Sequence, residues 1–404
     1  MSPAGVIVPA LALWLAAAIV YQCVAWAALR RLLTRRPGPA PVEPPSCTIL
    51  RSLHGSSPRL EENLESLLGA GAPVVVSAGD GDGPSAAAAR RVAARHPEAP
   101  LTVRIGRAPE GANRKVASLL RLLADARGEV VVFTDADVAT PPGYLEAVLA
   151  PFADPAVGLV TCPYRSVGGR AISERTDVLL TNTGFLPSIA VAERLEGIRF
   201  GLGATIAVRR RALDQVGGLQ TLVDHLADDH ALAALVSGAG HAIVLAPILL
   251  DHHVDGAGWR EVWRRHVRWA RTTRLLRPGG YAGSIVMHGS VPAIALALGG
   301  TWTALAGLVT WLLVRGSGAA LLRERLGLTP RDLLLMPVAD LAAFGVYLAG
   351  LAGRGVEWGG RRLRVSRDGR LGPSDSTYGS GAGRMLKGGR AWPARGGGGS
   401  PFFG

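Results

Sequence analysis

The stretch VVVFTDADV, Val130 to Val138, runs an apolar segment straight into Asp135-Ala136-Asp137. Val130 to Phe133 read as a strand, because β-branched and aromatic side chains suit a pleated, buried surface. Two carboxylates two residues apart at the end of such a strand admit two readings. They form a solvated turn, or both approach one divalent cation, whose hard character suits oxygen ligands. Such a cation usually shares its shell with phosphate. The second reading therefore brings a nucleotide diphosphate and Mg2+ or Mn2+ with it.

The flanking sequence alternates. CTILRSL (47–53), PVVVSAGD (73–80) and LTVRIG (101–106) have strand character. LEENLESLLGAG (60–71), PSAAAARRVAARHP (84–97) and NRKVASLLRLLADARG (113–128) have helical periodicity, with Gly or Pro at their ends. Uniformly apolar strands spaced by helices predict an α/β domain with a parallel sheet covered on both faces. In open sheets of this kind, ligands sit beyond the carboxyl ends of the strands. Asp80 and the Asp135/Asp137 pair both fall at such ends, which favours the metal reading.

Further polar groups follow. In VGGLQTLVDHLADDHALAALVSGAGH (216–241), Asp228 and Asp229 open an apolar-periodic helix. They are either first-turn acids favoured by the helix dipole, or, for Asp229, a general base beside a substrate pocket. WREVWRRHVRWARTTR (259–274) places Arg265, Arg268 and Trp269 at i, i+3 and i+4, on one helical face. Two guanidiniums there can grip a diphosphate. The other reading is a basic amphipathic helix on anionic lipid, which Arg260, Arg264, Arg271 and Arg274 also fit; the two are compatible. The apolar stretch at 183–204 reads equally as an entrance facing the membrane or as buried core.

The chain has 404 residues, 48% of them hydrophobic, and a net charge of +13. That combination suits an integral membrane protein with a basic part outside the bilayer. The basic residues are not interleaved with aromatics, so no nucleic-acid partner is expected. Cys23, Cys47 and Cys162 have no metal-ligand spacing and imply no disulfide framework. Met1 to Leu29 carries no charge; Val6 to Leu29 would span about 36 Å as a helix, enough for a bilayer core. It reads as an uncleaved anchor. Arg30, Arg31, Arg35 and Arg36 follow it, which places the bulk of the chain in the cytoplasm. Further spans are predicted at Val291–Val314 and Leu333–Ala352, the latter carrying Asp340, which needs a partner in a bilayer. The segments read as 1–30 anchor, 31–45 Pro-rich linker, 46–283 catalytic domain, 284–352 C-terminal transmembrane region, and 353–404 basic segment and disordered Gly-rich tail, the tail starting at Leu371.

In order along the chain, Asp80, TDAD (134–137), LADDH (226–230) and RHVRW (265–269), followed by membrane spans, resemble the ceramide glucosyltransferase family, glycosyltransferase family 21. The family includes bacterial hopanoid-biosynthesis glycosyltransferases. NRKVASL (113–119) and GATIAVRRRALDQVGGL (203–219) add to the likeness, which covers roughly 46–366. The resemblance implies a GT-A nucleotide-sugar-binding domain and an inverting transfer from a UDP-sugar to a membrane lipid. It implies that Asp80 contacts uracil or ribose and that Lys115 neutralises the diphosphate. Asp135 and Asp137 would bind the metal, and Asp229 would deprotonate the acceptor. Arg265, Arg268 and Trp269 would hold the leaving diphosphate. An Ala-, Arg- and Gly-rich composition points to a GC-rich bacterial genome. That favours a hopanoid polyol and UDP-N-acetylglucosamine over ceramide and UDP-glucose, at the bacterial inner membrane with the catalytic domain cytoplasmic. LRSLHG (50–55) and His230 depart from the family pattern and bear on the acceptor. The competing enzyme is a processive polysaccharide synthase, which shares the acidic and R-x-x-R-W motifs but needs more spans for a channel.

Overall fold

The computed structural model describes residues 3–36, 38, 43–53, 58–79, 83–106, 111–358, 361–366 and 368–373. Its strands are β1 (Cys47–Leu53), β2 (Val74–Ala78), β3 (Leu101–Ile105), β4 (Val130–Thr134), β5 (Val138–Ala139), β6 (Val157–Thr161), β7 (Tyr164–Val167), β8 (Thr205–Arg209), β9 (Ala242–Leu245), β10 (Leu250–His253), β11 (Gly355–Trp358), β12 (Arg361–Val365) and β13 (Leu371–Pro373). The α/β part carries helices α2 (Leu60–Leu68), α3 (Pro84–Arg95), α4 (Arg114–Leu123), α5 (Tyr144–Leu149), α6 (Ile172–Leu180), α7 (Leu186–Glu196), α8 (Arg210–Gln215), α9 (Asp228–Gly238) and α10 (Trp259–Leu276), with α1 (Pro3–Thr34) before them. After them come α11 (Pro278–Gly283), α12 (Ser290–Ala297), α13 (Trp302–Leu322) and α14 (Pro330–Leu351).

The central sheet has the order β3-β2-β1-β4-β8-β6-β9. The four strands read from the sequence, β1 to β4, pair parallel as predicted; β8, further along the chain, runs antiparallel to both β4 and β6. The remaining pairings are parallel. Strand direction is not written in composition here, since β8 is as fully buried as β4 or β6. Alternate residues feed two cores. Ile49, Val74, Val76, Val130 and Val132 face one; Leu50, Val75, Val131 and Phe133 face the other. The turn into β4 depends on Gly128, whose φ is +93°. A Cβ there would lie 2.5 Å from the Ser46 carbonyl oxygen, so only glycine fits. A second, three-stranded sheet, β5-β10-β7, packs beside the end of β4.

Among the described residues, three helices are long and apolar enough to cross a membrane: Gly5–Thr34, Trp302–Leu322 and Pro330–Leu351. The predicted second span at Val291–Val314 is corrected. Gly300, in the left-handed region at φ +70°, breaks the apolar run, and Thr301 caps a new helix by accepting a hydrogen bond from the Ala304 amide. Hydropathy counts charges and is blind to such a break. Asp340 finds its partner in Arg315 of α13, at 2.7 Å. Trp26, Leu29 and Leu32 of α1 join Leu322 and Met336 in the same core cluster as the sheet, so the long helices and the α/β part share apolar packing. α7, within the stretch read as entrance or core, has Leu186, Ile189, Ala190 and Val191 buried.

The tail boundary also moves. Leu371 lies in β13, is buried, and packs with Leu226, Val356, Leu363 and Val365. Its amide donates to the Asp224 carbonyl. Residues beyond Pro373, where the Gly-rich tail is expected, lie outside the described residues.

Candidate active site

Six of the seven central strands share a direction, so their carboxyl ends form one edge, and Asp135 and Asp137 follow β4 on that edge. The turn that carries them is held from below. Arg51 of β1 is fully buried. It donates to Thr134 Oγ1 at 3.0 Å, to the Val138 carbonyl at 2.9 Å and to the Asn63 carbonyl at 2.7 Å. Asn63 in turn donates to the Ala136 carbonyl at 3.2 Å. The acidic turn is therefore anchored on both sides. Burial pushes Arg51 down to about 10, but it stays protonated at neutral pH.

Around this turn the predicted residues converge. Lys115, one residue inside the start of α4, places Nζ 2.7 Å from Asp135 Oδ1 and 3.4 Å from Asp228 Oδ2. Asn113 sets the start of α4 by accepting from the Val116 amide, and also donates to Asp228 Oδ1 at 3.1 Å. Asp229 follows at the start of α9, its Oδ1 accepting the His230 amide at 2.8 Å. Gly203, in the loop before β8, is the common neighbour. A Cβ on it would lie 3.2 Å from Asp135 Oδ2, 3.3 Å from Asp229 Oδ2 and 3.6 Å from Lys115 Nζ. The glycine leaves a cradle lined by two carboxylates and an ammonium.

Charge is divided unevenly among these groups. Burial, added to by Asp228, pushes Asp229 up to about 6. Burial also raises Asp135, against the opposing pull of Lys115. For Asp137 burial works the same way, but His252 beside it wins and holds the carboxyl below the usual range. Burial opposes the charge on Lys115, yet Asp135, Asp228 and Asp229 together hold it above the usual lysine value.

Four contributors escape the sequence reading: His252, Asp177, Arg51 and Gly203. His252 of β10 sits 3.2 Å from Asp137 Oδ2, because β10 pairs antiparallel with β5 just after the acidic turn. Polar LDHH (250–253) ending an apolar strand is the signal that could have found it, as could the arginine inside CTILRSL for Arg51. Asp177 of α6 is buried and takes Arg265 at 2.7 Å and His266 at 2.6 Å. Arg265 also pairs with Glu261, so both of its ion-pair partners here are carboxylates of the protein. Arg268 has no side-chain hydrogen bond or ion pair among the described residues and lies in the field of Asp229 and Asp135. Trp269 packs against Phe185 and His266, with ring centroids 5.9 and 5.1 Å apart. Asp80 lies outside the described residues.

Asp135 and Asp137 can hold a metal ion. Among the described residues no three His, Cys, Asp or Glu side chains converge as a ready cage. Two carboxylates on one turn, with a histidine at one of them and the open cradle at Gly203, fit a hard cation that completes its shell from phosphate and water.

The model of glycosyl transferase family 21 matches residues 10–371. The chain belongs to glycosyl transferase family 21. This family 21 protein is thus an enzyme, a hexosyltransferase. Among solved structures it is similar to the mannosyltransferase of Pyrobaculum calidifontis, solved with GDP-Man and Mn2+, at 23% identity and a TM-score of 0.51, over 84% of this chain and 99% of that one. That likeness shows a GT-A-like fold. Glucosyl-3-phosphoglycerate synthase from Mycobacterium tuberculosis is more distant, at 18% identity and a TM-score of 0.36, over 57% of this chain and 80% of that one.

Proposed function

We propose that this family 21 enzyme moves a sugar from a UDP-sugar to the hydroxyl of a membrane lipid with inversion, at the cytoplasmic face of a bacterial inner membrane. The observation that carries the reading is the cradle at Gly203, where Lys115, Asp135 and Asp229 meet beside Arg268. Asp229 takes the acceptor proton: burial leaves it with a proton affinity close to neutrality, suited to a general base. Lys115 and Arg268 stabilise the charge that develops on the leaving diphosphate. Trp269 closes over that side of the site. Arg265, held by Asp177, adds its field without being free to fork onto a phosphate. Asp80 contacts the uracil or ribose. Asp135 and Asp137 hold Mg2+ or Mn2+, which when bound neutralises diphosphate charge.

The acceptor is a hopanoid polyol with UDP-N-acetylglucosamine as donor, in preference to ceramide with UDP-glucose. The test is purified full-length protein in lipid nanodiscs, supplied with UDP-sugars and bacterial lipid extract. One monoglycosylated lipid is expected by mass spectrometry. A growing polymer would overturn the proposal in favour of a processive synthase.

A further inference from the structure

Arg315 lies in α13, one of the three helices long enough to span a membrane, and is only 7% exposed. A buried charge at such a position is costly unless paired, and such residues are commonly functional. Its pairing to Asp340 of α14 uses Nε at 3.2 Å and Nη2 at 2.7 Å. Ser290 donates to the same carboxylate at 2.8 Å, and Trp311 Nε1 donates to Ser290. That network would already satisfy the charge. Arg315 nevertheless reaches out of the long helices. Nη1 donates to the Thr183 carbonyl at 2.8 Å and Nη2 to Thr183 Oγ1 at 3.0 Å.

Thr183 sits in a π turn, Thr181–Phe185, that joins α6 to α7. Four residues beyond it stands Pro187, which has no N–H to offer the Thr183 carbonyl. The sequence thus leaves a helical carbonyl without its usual donor, and a guanidinium from another helix supplies one. Two residues after Thr183, Phe185 packs between Tyr164, at 5.4 Å, and Trp269, at 5.9 Å. Trp269 is the neighbour of Arg268. π turns within helices occur often at functional sites.

We propose that Arg315 is a positioning residue for sugar transfer: it pins the π turn at Thr183, so that Phe185 holds Trp269, and with it Arg268, against the donor diphosphate. The proposal rests on the reading of Arg268 and Trp269 as the donor grip.

The test uses the full chain in lipid nanodiscs, with donor KM, kcat and thermal midpoint measured for each variant. Arg315→Lys keeps a charge opposite Asp340 but loses the fork that reaches Thr183. It is expected to raise the donor KM about tenfold, the effect of one lost charge-assisted hydrogen bond, in a protein that still folds. Arg315→Met combined with Asp340→Leu leaves neither charge of the buried pair behind and is expected to give the same rise in a folded protein. Phe185→Leu should match it. Arg315→Lys with Phe185→Leu should cost no more than either alone, because both act through Trp269. An unmoved donor KM in Arg315→Lys, or effects that multiply in the combined variant, would overturn the proposal. Arg268→Ala tests the grip itself and is expected to raise the donor KM. An unchanged KM there overturns the grip, and with it the route from Arg315. A defect in Arg268→Ala without one in Arg315→Lys overturns the positioning alone.

Discussion

Gly203→Ala probes the site with a single carbon. The backbone at Gly203 is not in the left-handed region, so alanine fits its conformation. In the unfolded chain the substitution removes freedom and stabilises the fold by up to about 1 kcal/mol. In the folded chain the new methyl lies 3.2 Å from Asp135 Oδ2 and 3.3 Å from Asp229 Oδ2, both inside the 3.4 Å of ordinary contact. Both carboxylates must therefore give by a few tenths of an ångström, and the methyl fills the space between them. The net change in folding stability is expected to stay within about 1 kcal/mol. The chemistry is far less tolerant: a misplacement of about 1 Å costs on the order of a hundredfold in rate. A shift of tenths on two groups at once, with the cradle filled, is expected to lower kcat/KM at least about tenfold. Mn2+ affinity, followed by calorimetry with UDP present, should weaken in the same variant. Full transfer activity and unchanged Mn2+ affinity in a well-folded Gly203→Ala protein would refute the view that Asp135 and Asp229 serve one site.

Other outcomes follow from the same geometry. Asp229→Asn is expected to abolish transfer while UDP-sugar binding persists; retained turnover would remove Asp229 as the base. Since Asp229 is pushed up to about 6 and works only when deprotonated, kcat/KM should rise with pH through about 6, and a flat profile there would count against it. Asp177→Asn leaves Arg265 and His266 without their buried carboxylate, at a cost on the order of 3 kcal/mol, the low end for breaking a buried pair because Glu261 still holds Arg265. A thermal midpoint equal to the parent's would contradict that assignment. Chelation of divalent cations should stop transfer and added Mn2+ or Mg2+ restore it, whereas activity in excess chelator would exclude Asp135 and Asp137 as necessary ligands.

What the sequence disclosed was what local periodicity controls. CTILRSL and PVVVSAGD are strands because their side chains are buried on a sheet, LTVRIG is the partly buried edge strand beside them, and the acidic turn falls where β4 ends. The direction of β8 was hidden because burial is the same for either direction. The break at Gly299-Gly300 was hidden because apolar counting ignores backbone conformation. Leu371 read as tail because its apolar partner, Leu226, lies far away in the chain. The same limit governs the site. Asp135, Asp229 and Lys115 stand in legible motifs, but Arg51 supports the acidic turn across β1 and β4, and Asp177 reaches α10 from α6. Spacing alone put Arg265 beside Arg268 as an equal partner. Only tertiary contact shows that Asp177 has claimed one of the two.

The division of labour among the acids follows from who holds whom. Lys115 pairs with Asp135 and Asp228, and His252 pairs with Asp137. Asp228 is further fixed by Asn113. Asp229 alone of the four has no side-chain ion pair among the described residues, only the amide of His230. An ion pair stabilises a carboxylate and lowers its affinity for a proton, while burial without one does the reverse. Asp137, held below the usual range by His252, is thus suited to stay charged beside a cation, and Asp229, raised by burial, to accept a proton. Pushing the proton affinities of neighbouring carboxylates apart is how one site serves both tasks at neutral pH. A lysine one turn further along α4 would not reach Asp135, and a pairing with Asp229 instead would quench the base. Lys115 ends on Asp135 and Asp228 rather than on Asp229, so no salt bridge to it quenches the carboxylate that, in the proposed reaction, takes the proton of the acceptor hydroxyl.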